Sequence, residues 1–181
     1  MEGRWGGAVL IFLSVEGEER QLDPEAASAH IDTLFRTACA MSGSRDLAED
    51  LVQETYVKVL ARPRLLRRDD DLGYMIKALR NTWYSHLRDE RKRREATTGG
   101  GDANELNVPT TRADPEASYE TTEVLEAVAE LPPQYREAVA AVDVAGLSYA
   151  EAARALGVRQ GTVMSRLYRG REQVAQALTP D

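Results

Sequence analysis

Residues 147–178, LSYAEAARALGVRQGTVMSRLYRGREQVAQAL, decide the fold of the second half of this chain. Ser148 stands where a helix can be capped, and Glu151 follows three residues later, the spacing of a capping box. Ala152, Ala153 and Leu156 then make an apolar face of mostly small residues, which lets a second helix come close. Gly157 follows the last periodic residue and can take the left-handed conformation that ends a helix. Val158 plugs the turn, and a second helix starts near Arg159–Thr162. In it Val163, Leu167, Val174 and Leu178 share one face at helical spacing. Thr162, Arg166, Arg169 and Gln173 share another. Between 159 and 171 there are arginines at 159, 166, 169 and 171 and no acid. A buried face backed by an acid-free basic face suits a helix-turn-helix whose second helix faces phosphates and bases in the major groove.

Outward from this unit, the charge of the chain is segregated. The net charge of −7 over 181 residues is wrong for a free DNA binder. Residues 15–54 carry −7, residues 58–95 carry +6, residues 96–134 carry −7 and residues 135–181 carry +1. Local patches, not the global sign, decide what DNA meets. The single cysteine, Cys39, rules out an internal disulfide, fits a reducing cytoplasm and lies in an apolar-periodic helix as a core residue. His30 and His86 are far apart and show no metal-ligand spacing, so no metal and no cofactor is expected. The apolar run at 8–15, AVLIFLSV, is shorter than the roughly 20 residues a bilayer span needs, and no membrane insertion is expected. It also lacks the cleavage pattern of a signal peptide. Three readings fit the arm at 1–25: an unstructured tail, a short strand, or residues ahead of a later translation start.

Helical periodicity returns at 26–42, through Ile31, Leu34, Phe35 and Ala38. Residues 46–60, DLAEDLVQETYVKVL, form a second amphipathic helix with Ala48, Leu51, Val52, Thr55 and Val59 inward. Its outer strip is acidic. The stretch 62–71, RPRLLRRDDD, reads as a loop. A third helix over 72–95 interleaves Lys77, Arg80, Asn81, Trp83, Tyr84, His86, Arg88 and Arg91. Cations can follow phosphates while aromatic faces stack on unpaired bases, so this helix suits melting DNA better than plain duplex. Trp83 is read as a stacking residue; Tyr84 fits stacking and core equally. Residues 96–121 hold a glycine triplet, two prolines and many small polar residues, a flexible linker spanning roughly 28–30 Å on average. Helices resume at 122–130 and 134–145. The chain is expected to be all-α: two small helical domains on a tether, with the helix-turn-helix in the C-terminal one.

At this point the chain resembles a bacterial RNA polymerase sigma factor of the extracytoplasmic-function group, in the sigma-70 family. DLAEDLVQETYVKVL is similar to the segment that docks on the polymerase clamp helices. LGYMIKALRNTWYSHLRDERKRR (72–94) resembles the segment that opens and reads the minus-ten element. Residues 131–171, with GTVMSRLYRGR as a close match, resemble the minus-35 reader. The resemblance implies region 2 at 26–95 and region 4 at 122–181. It implies core-polymerase contacts through Asp46, Glu49, Asp50, Gln53 and Glu54. It implies minus-ten contacts among Lys77, Arg80, Asn81, Trp83, Tyr84, Arg88 and Arg91, with base capture by the loop 62–71. Minus-35 contacts fall to Arg159, Gln160, Thr162, Ser165, Arg166 and Arg169. The implied partners are core RNA polymerase (clamp helices and flap), promoter DNA and an anti-sigma factor, zinc-containing in similar members. Tyr74, Ser85 and Arg159 depart from the usual family residues, which bears on promoter preference.

Other function classes fit less well. A self-sufficient duplex regulator needs a dimer surface, and no heptads or dedicated dimer helix are visible. An enzyme acting on nucleic acid is disfavoured by two distant histidines, one core cysteine and no clustered carboxylates on the basic helix. The glycines at 99–101 lack the following Lys-Ser/Thr of a phosphate loop. The chain is therefore read as a non-enzymatic, cytoplasmic transcription factor.

Overall fold

A computed structural model describes residues 19–22, 24–61, 65–67, 71–98 and 119–179. The first half is built from α1 (Pro24–Ser28), α2 (Ile31–Ser42), α3 (Arg45–Ala61) and α4 (Asp71–Thr98). The second half holds α5 (Tyr119–Ala129), α6 (Pro133–Val139), α7 (Tyr149–Leu156) and α8 (Gln160–Ala177). Most of the expected linker, and the ends of the 62–71 loop, lie outside the described residues. No helix among the described residues is long and apolar enough to cross a membrane.

The helix expected over 26–42 is broken at Ala29–His30. The Ser28 hydroxyl donates to Glu25 O at 2.8 Å, a local bond that competes with helix continuation. The break leaves Ala27 O to accept from His30 N and from the Tyr56 hydroxyl on α3 at 2.6 Å. Helix α2 then ends at Gly43, whose φ of 67° is the left-handed cap. Its core residues are Leu34, Ala38 and Met41. Ile31, placed inward by periodicity, is 50% exposed because it opens the helix ahead of the packed turns. Leu51, Val52, Thr55 and Val59 of α3 meet Met75, Leu79, Trp83 and Leu87 of α4 in the same core. The buried hydroxyls are satisfied locally: Thr55 donates to Leu51 O at 2.6 Å and Thr37 to Thr33 O at 2.7 Å.

Two short strands accompany the helices within the all-α architecture. β1 (Glu19–Gln21) pairs antiparallel with β2 (Leu65–Arg67), Arg20 opposite Leu66. The arm therefore contributes a strand, and the middle of the expected loop is its partner. Three residues are too few for alternation to be read from sequence.

In the second half, the helix expected over 134–145 is α6 followed by one π-helical turn at Ala140–Val144. Its wide turn is closed by Ala145 N donating to Ala140 O at 2.9 Å. Gly146, at φ 74°, then redirects the chain towards α7. Gly170 lets α8 lie on α6: a Cβ there would meet Val139 Cγ2 at 2.7 Å. Leu178, expected inward, is 39% exposed at the C-cap of α8, which ends at Ala177.

The halves are not held apart. One core joins Leu34, Met41, Leu79 and Trp83 to Val128, Leu131, Val139 and Leu167. A second joins Ile76 of α4 to Ala141, Leu147, Ala152, Leu156 and Val163. The two helical domains pack on each other in this conformation. The physical reason is a second apolar face on α4, described next.

Candidate nucleic-acid interface

Helix α4 has three working faces. Met75, Leu79, Thr82, Trp83 and Leu87 are buried on the side of α2 and α3, with Trp83 and Leu87 also bordering Pro133 and Arg136 of the second half. Leu72, Ile76, Arg80 and Tyr84, each four residues apart, look towards the second half. Leu72 packs on both cores and Ile76 is 2% exposed within the second. Arg80 Nε and the Tyr84 hydroxyl both donate to Glu137 Oε1 of α6, at 2.9 and 2.5 Å. Lys77, Asn81, Arg88 and Arg91 form the third face, open to solvent.

The expected minus-ten set is thus divided. Four of its members are exposed; Arg80 and Tyr84 are engaged; Trp83 is 4% exposed, with its ring stacked on His86 at 5.9 Å between centroids. The expectation that Trp83 presents a free face is corrected here, because its position on α4 turns it into the core and under Pro133 and Arg136. Burial, and then the bond to Glu137, push the Tyr84 phenol up to about 12. It is therefore a proton donor throughout the neutral range. Arg88 Nη2 donates to Ser85 Oγ at 3.1 Å and Arg91 pairs with Glu95 at 2.9 Å, both in solvent and easily exchanged.

The reading unit 147–178 folds as its sequence demands. Ser148 N donates to Glu151 Oε2 at 2.8 Å and Glu151 N to Ser148 Oγ at 3.3 Å, the full capping box. Gly157 closes α7 at φ 69°, and Val158 packs on the second core. Val163 and Leu167 are buried at 0% and 2%, which fixes the rotation of α8. Arg159, Gln160, Ser165 and Arg169 are then exposed, and Thr162 and Arg166 half-buried. Arg169 Nη1 donates to the Tyr135 hydroxyl at 3.4 Å. Arg171 is held by Asp143 of the π turn through Nε at 3.0 Å, which takes it out of the basic stripe. Sequence reasoning missed Met164 and Tyr168, 50% and 71% exposed on the same outer face. Their i, i+4 spacing off the Val163–Leu167 face was the available signal.

The acidic strip is on α3. Asp46, Glu49, Asp50, Gln53 and Glu54 are all exposed, and Val57, 68% exposed, continues the strip and was missed. Glu54 pairs with Lys58 at 2.6 Å and Glu49 with Arg45 at 3.5 Å, exposed pairs that leave the strip acidic. Cys39 is half-buried, and burial pushes its thiol up to about 11. That fits the packing role read from sequence.

Comparison with known proteins agrees with this organisation. Residues 27–93 match the Sigma-70 region 2 family and residues 121–174 the Sigma-70, region 4 family. The chain is 34% identical over 159 residues to the ECF RNA polymerase sigma factor SigE of Mycolicibacterium smegmatis, covering 85% of this chain and 60% of that protein. It is 34% identical over 156 residues to the ECF RNA polymerase sigma factor EcfG of Rhodopseudomonas palustris, covering 84% of this chain and 83% of that one. The sigma factor RpoE of Bartonella quintana, solved in complex with the anti-sigma factor NepR, superposes with a TM-score of 0.66 at 26% identity. That match covers 87% of this chain and 96% of the other, so it spans both halves. CnrH, solved in complex with the cytosolic domain of CnrY, shares the fold at 21% identity and a TM-score of 0.59, over 85% of each chain. The chain belongs to the sigma-70 family of RNA polymerase sigma factors, in the extracytoplasmic-function group.

Proposed function

We propose that the chain binds core RNA polymerase and directs initiation at promoters by reading a minus-35 element and melting a minus-ten element. The observation that supports this is the presence of two differently built basic helices in one chain, α4 and α8, beside a helix, α3, whose solvent face is acidic. Helix α8 offers Arg159, Gln160, Thr162, Ser165, Arg166 and Arg169 to a major groove. Helix α4 offers Lys77, Asn81, Arg88 and Arg91, with Arg80, Trp83 and Tyr84 added when the second half moves away. The α3 strip docks on a basic or polar surface of the polymerase and repels free DNA. Two weak readers joined in one chain gain affinity by effective concentration once the polymerase fixes their spacing. Flipping a promoter base costs a few kcal/mol, which stacking on α4 and capture by the 62–71 segment offset. We assign residues 26–95 and 122–181 to these two domains and 96–121 to the tether.

The chain needs no catalytic step or cofactor in this account and works in the cytoplasm, where the polymerase is. An anti-sigma factor is the natural regulator, as in the RpoE complex that this chain superposes on. Reconstitution tests the proposal: the chain added to core enzyme forms a complex in gel filtration and starts transcripts at a defined promoter. Charge reversal of Asp50 and Glu54 abolishes the complex and leaves helix content unchanged. Retention of core by that variant contradicts the docking assignment.

A further inference from the structure

We propose that Glu137 is an intramolecular latch that keeps the chain closed without help from another protein. Its carboxylate is 6% exposed, and one oxygen accepts from both Arg80 and Tyr84 of the opposite half. Arg80 also lies over the Tyr84 ring, 5.0 Å from its centroid, so the three groups form one cluster. Next to it on α6, Arg136 is 8% exposed and donates from Nη1 to Met41 O at the end of α2, at 2.9 Å. Its Nε and Nη2 donate to Leu131 O at 3.2 and 3.0 Å, which braces the turn that presents α6. Two consecutive residues of one helix thus grip two helices of the other half.

The rest of the interface is what a reversible closure needs. Ile76 is buried in the second core with Ala141, Leu147, Ala152, Leu156 and Val163. Between the halves runs a crevice of about 10 Å³ lined by Met41, Trp83, Leu87 and Pro133 beside the latch residues. That space holds one water at most. A buried carboxylate held by a cation and a phenol from the far side is satisfied only while the halves touch. On opening, all three return to water, so the polar cluster sets the closure in one register without making it permanent. Closure takes Arg80 and Tyr84, and the face of Trp83, away from DNA. The functional consequence rests on the minus-ten role proposed above; the latch itself does not.

Trp83 supplies an intrinsic probe in the full chain with Trp5 replaced by phenylalanine. In that background Glu137→Lys is expected to raise acrylamide quenching of Trp83 several-fold and to enlarge the radius of gyration in small-angle scattering. Arg80→Glu combined with Glu137→Lys restores the opposite charges and is expected to bring both values back. Should Glu137→Lys lose helix content, Glu137→Gln and Tyr84→Phe provide the same readings with smaller changes of shape. Quenching and scattering unchanged in folded Glu137 variants overturn the latch. Transcription with core enzyme is followed in parallel: a chain that opens on Glu137 substitution yet never supports initiation refutes the sigma reading and leaves the latch standing.

Discussion

Helices α4 and α8 are both basic, both amphipathic and both read from sequence as DNA-facing, yet the structure treats them differently. Helix α8 has one packed face, set by Val163 and Leu167, and everything opposite it is open. Helix α4 has two packed faces, because Met75 and Leu79 lie in the core shared with α2 and α3 while Ile76 lies in the second core, among residues of the other half. The difference teaches that a single apolar stripe predicts exposure well, whereas a helix between two bodies hides part of its polar face. On α4 the hidden part includes the aromatic residues that would contact an unpaired base.

The comparison can be broken most severely at Arg136. Arg136→Ala removes a buried guanidinium and strands the Met41 and Leu131 carbonyls. It is expected to cost about 3 kcal/mol in urea unfolding and to expose Trp83. A loss below about 1 kcal/mol would show that α6 does not hold α4 covered. Gly170→Ala comes next and acts on the other helix. The new Cβ meets Val139 Cγ2 at 2.7 Å and must push α8 off α6, at about 2 kcal/mol of stability. Wild-type stability in that variant would show that the seat of α8 is looser than drawn. Arg166→Ala sharpens the contrast without touching either seat: minus-35-dependent initiation is expected to fall by about 1–3 kcal/mol in promoter affinity. An equal loss on promoters lacking a minus-35 element would reassign Arg166 to a general phosphate contact. The smallest effect is Ser148→Ala, expected to remove about 1 kcal/mol by opening the capping box. No change in thermal midpoint would mean Glu151 alone holds that end.

Much of this was legible in the residues themselves. Ser148, Glu151 and Gly157 specify the α7–α8 unit by local chemistry alone, and the structure follows them bond for bond. The acidic strip of α3 is equally local, since its five residues lie on the face opposite Leu51 and Val52. What sequence did not show depends on distant partners. The role of Glu137 comes from residues 53 and 57 positions away, at Tyr84 and Arg80. The π turn at 140–144 has no helical-period signature that separates it from continued α-helix. Trp83 was misplaced because composition marks an aromatic among cations as a stacking residue, while its rotation about α4 points it inward.

The most direct test of the two-reader account is to map unpaired and protected bases on a promoter bound by the reconstituted holoenzyme. The account predicts one protected duplex block at the minus-35 element and permanganate-reactive thymines at the minus-ten element, both requiring core enzyme. A single protected block formed by the chain alone, with no melted bases when polymerase is added, contradicts it.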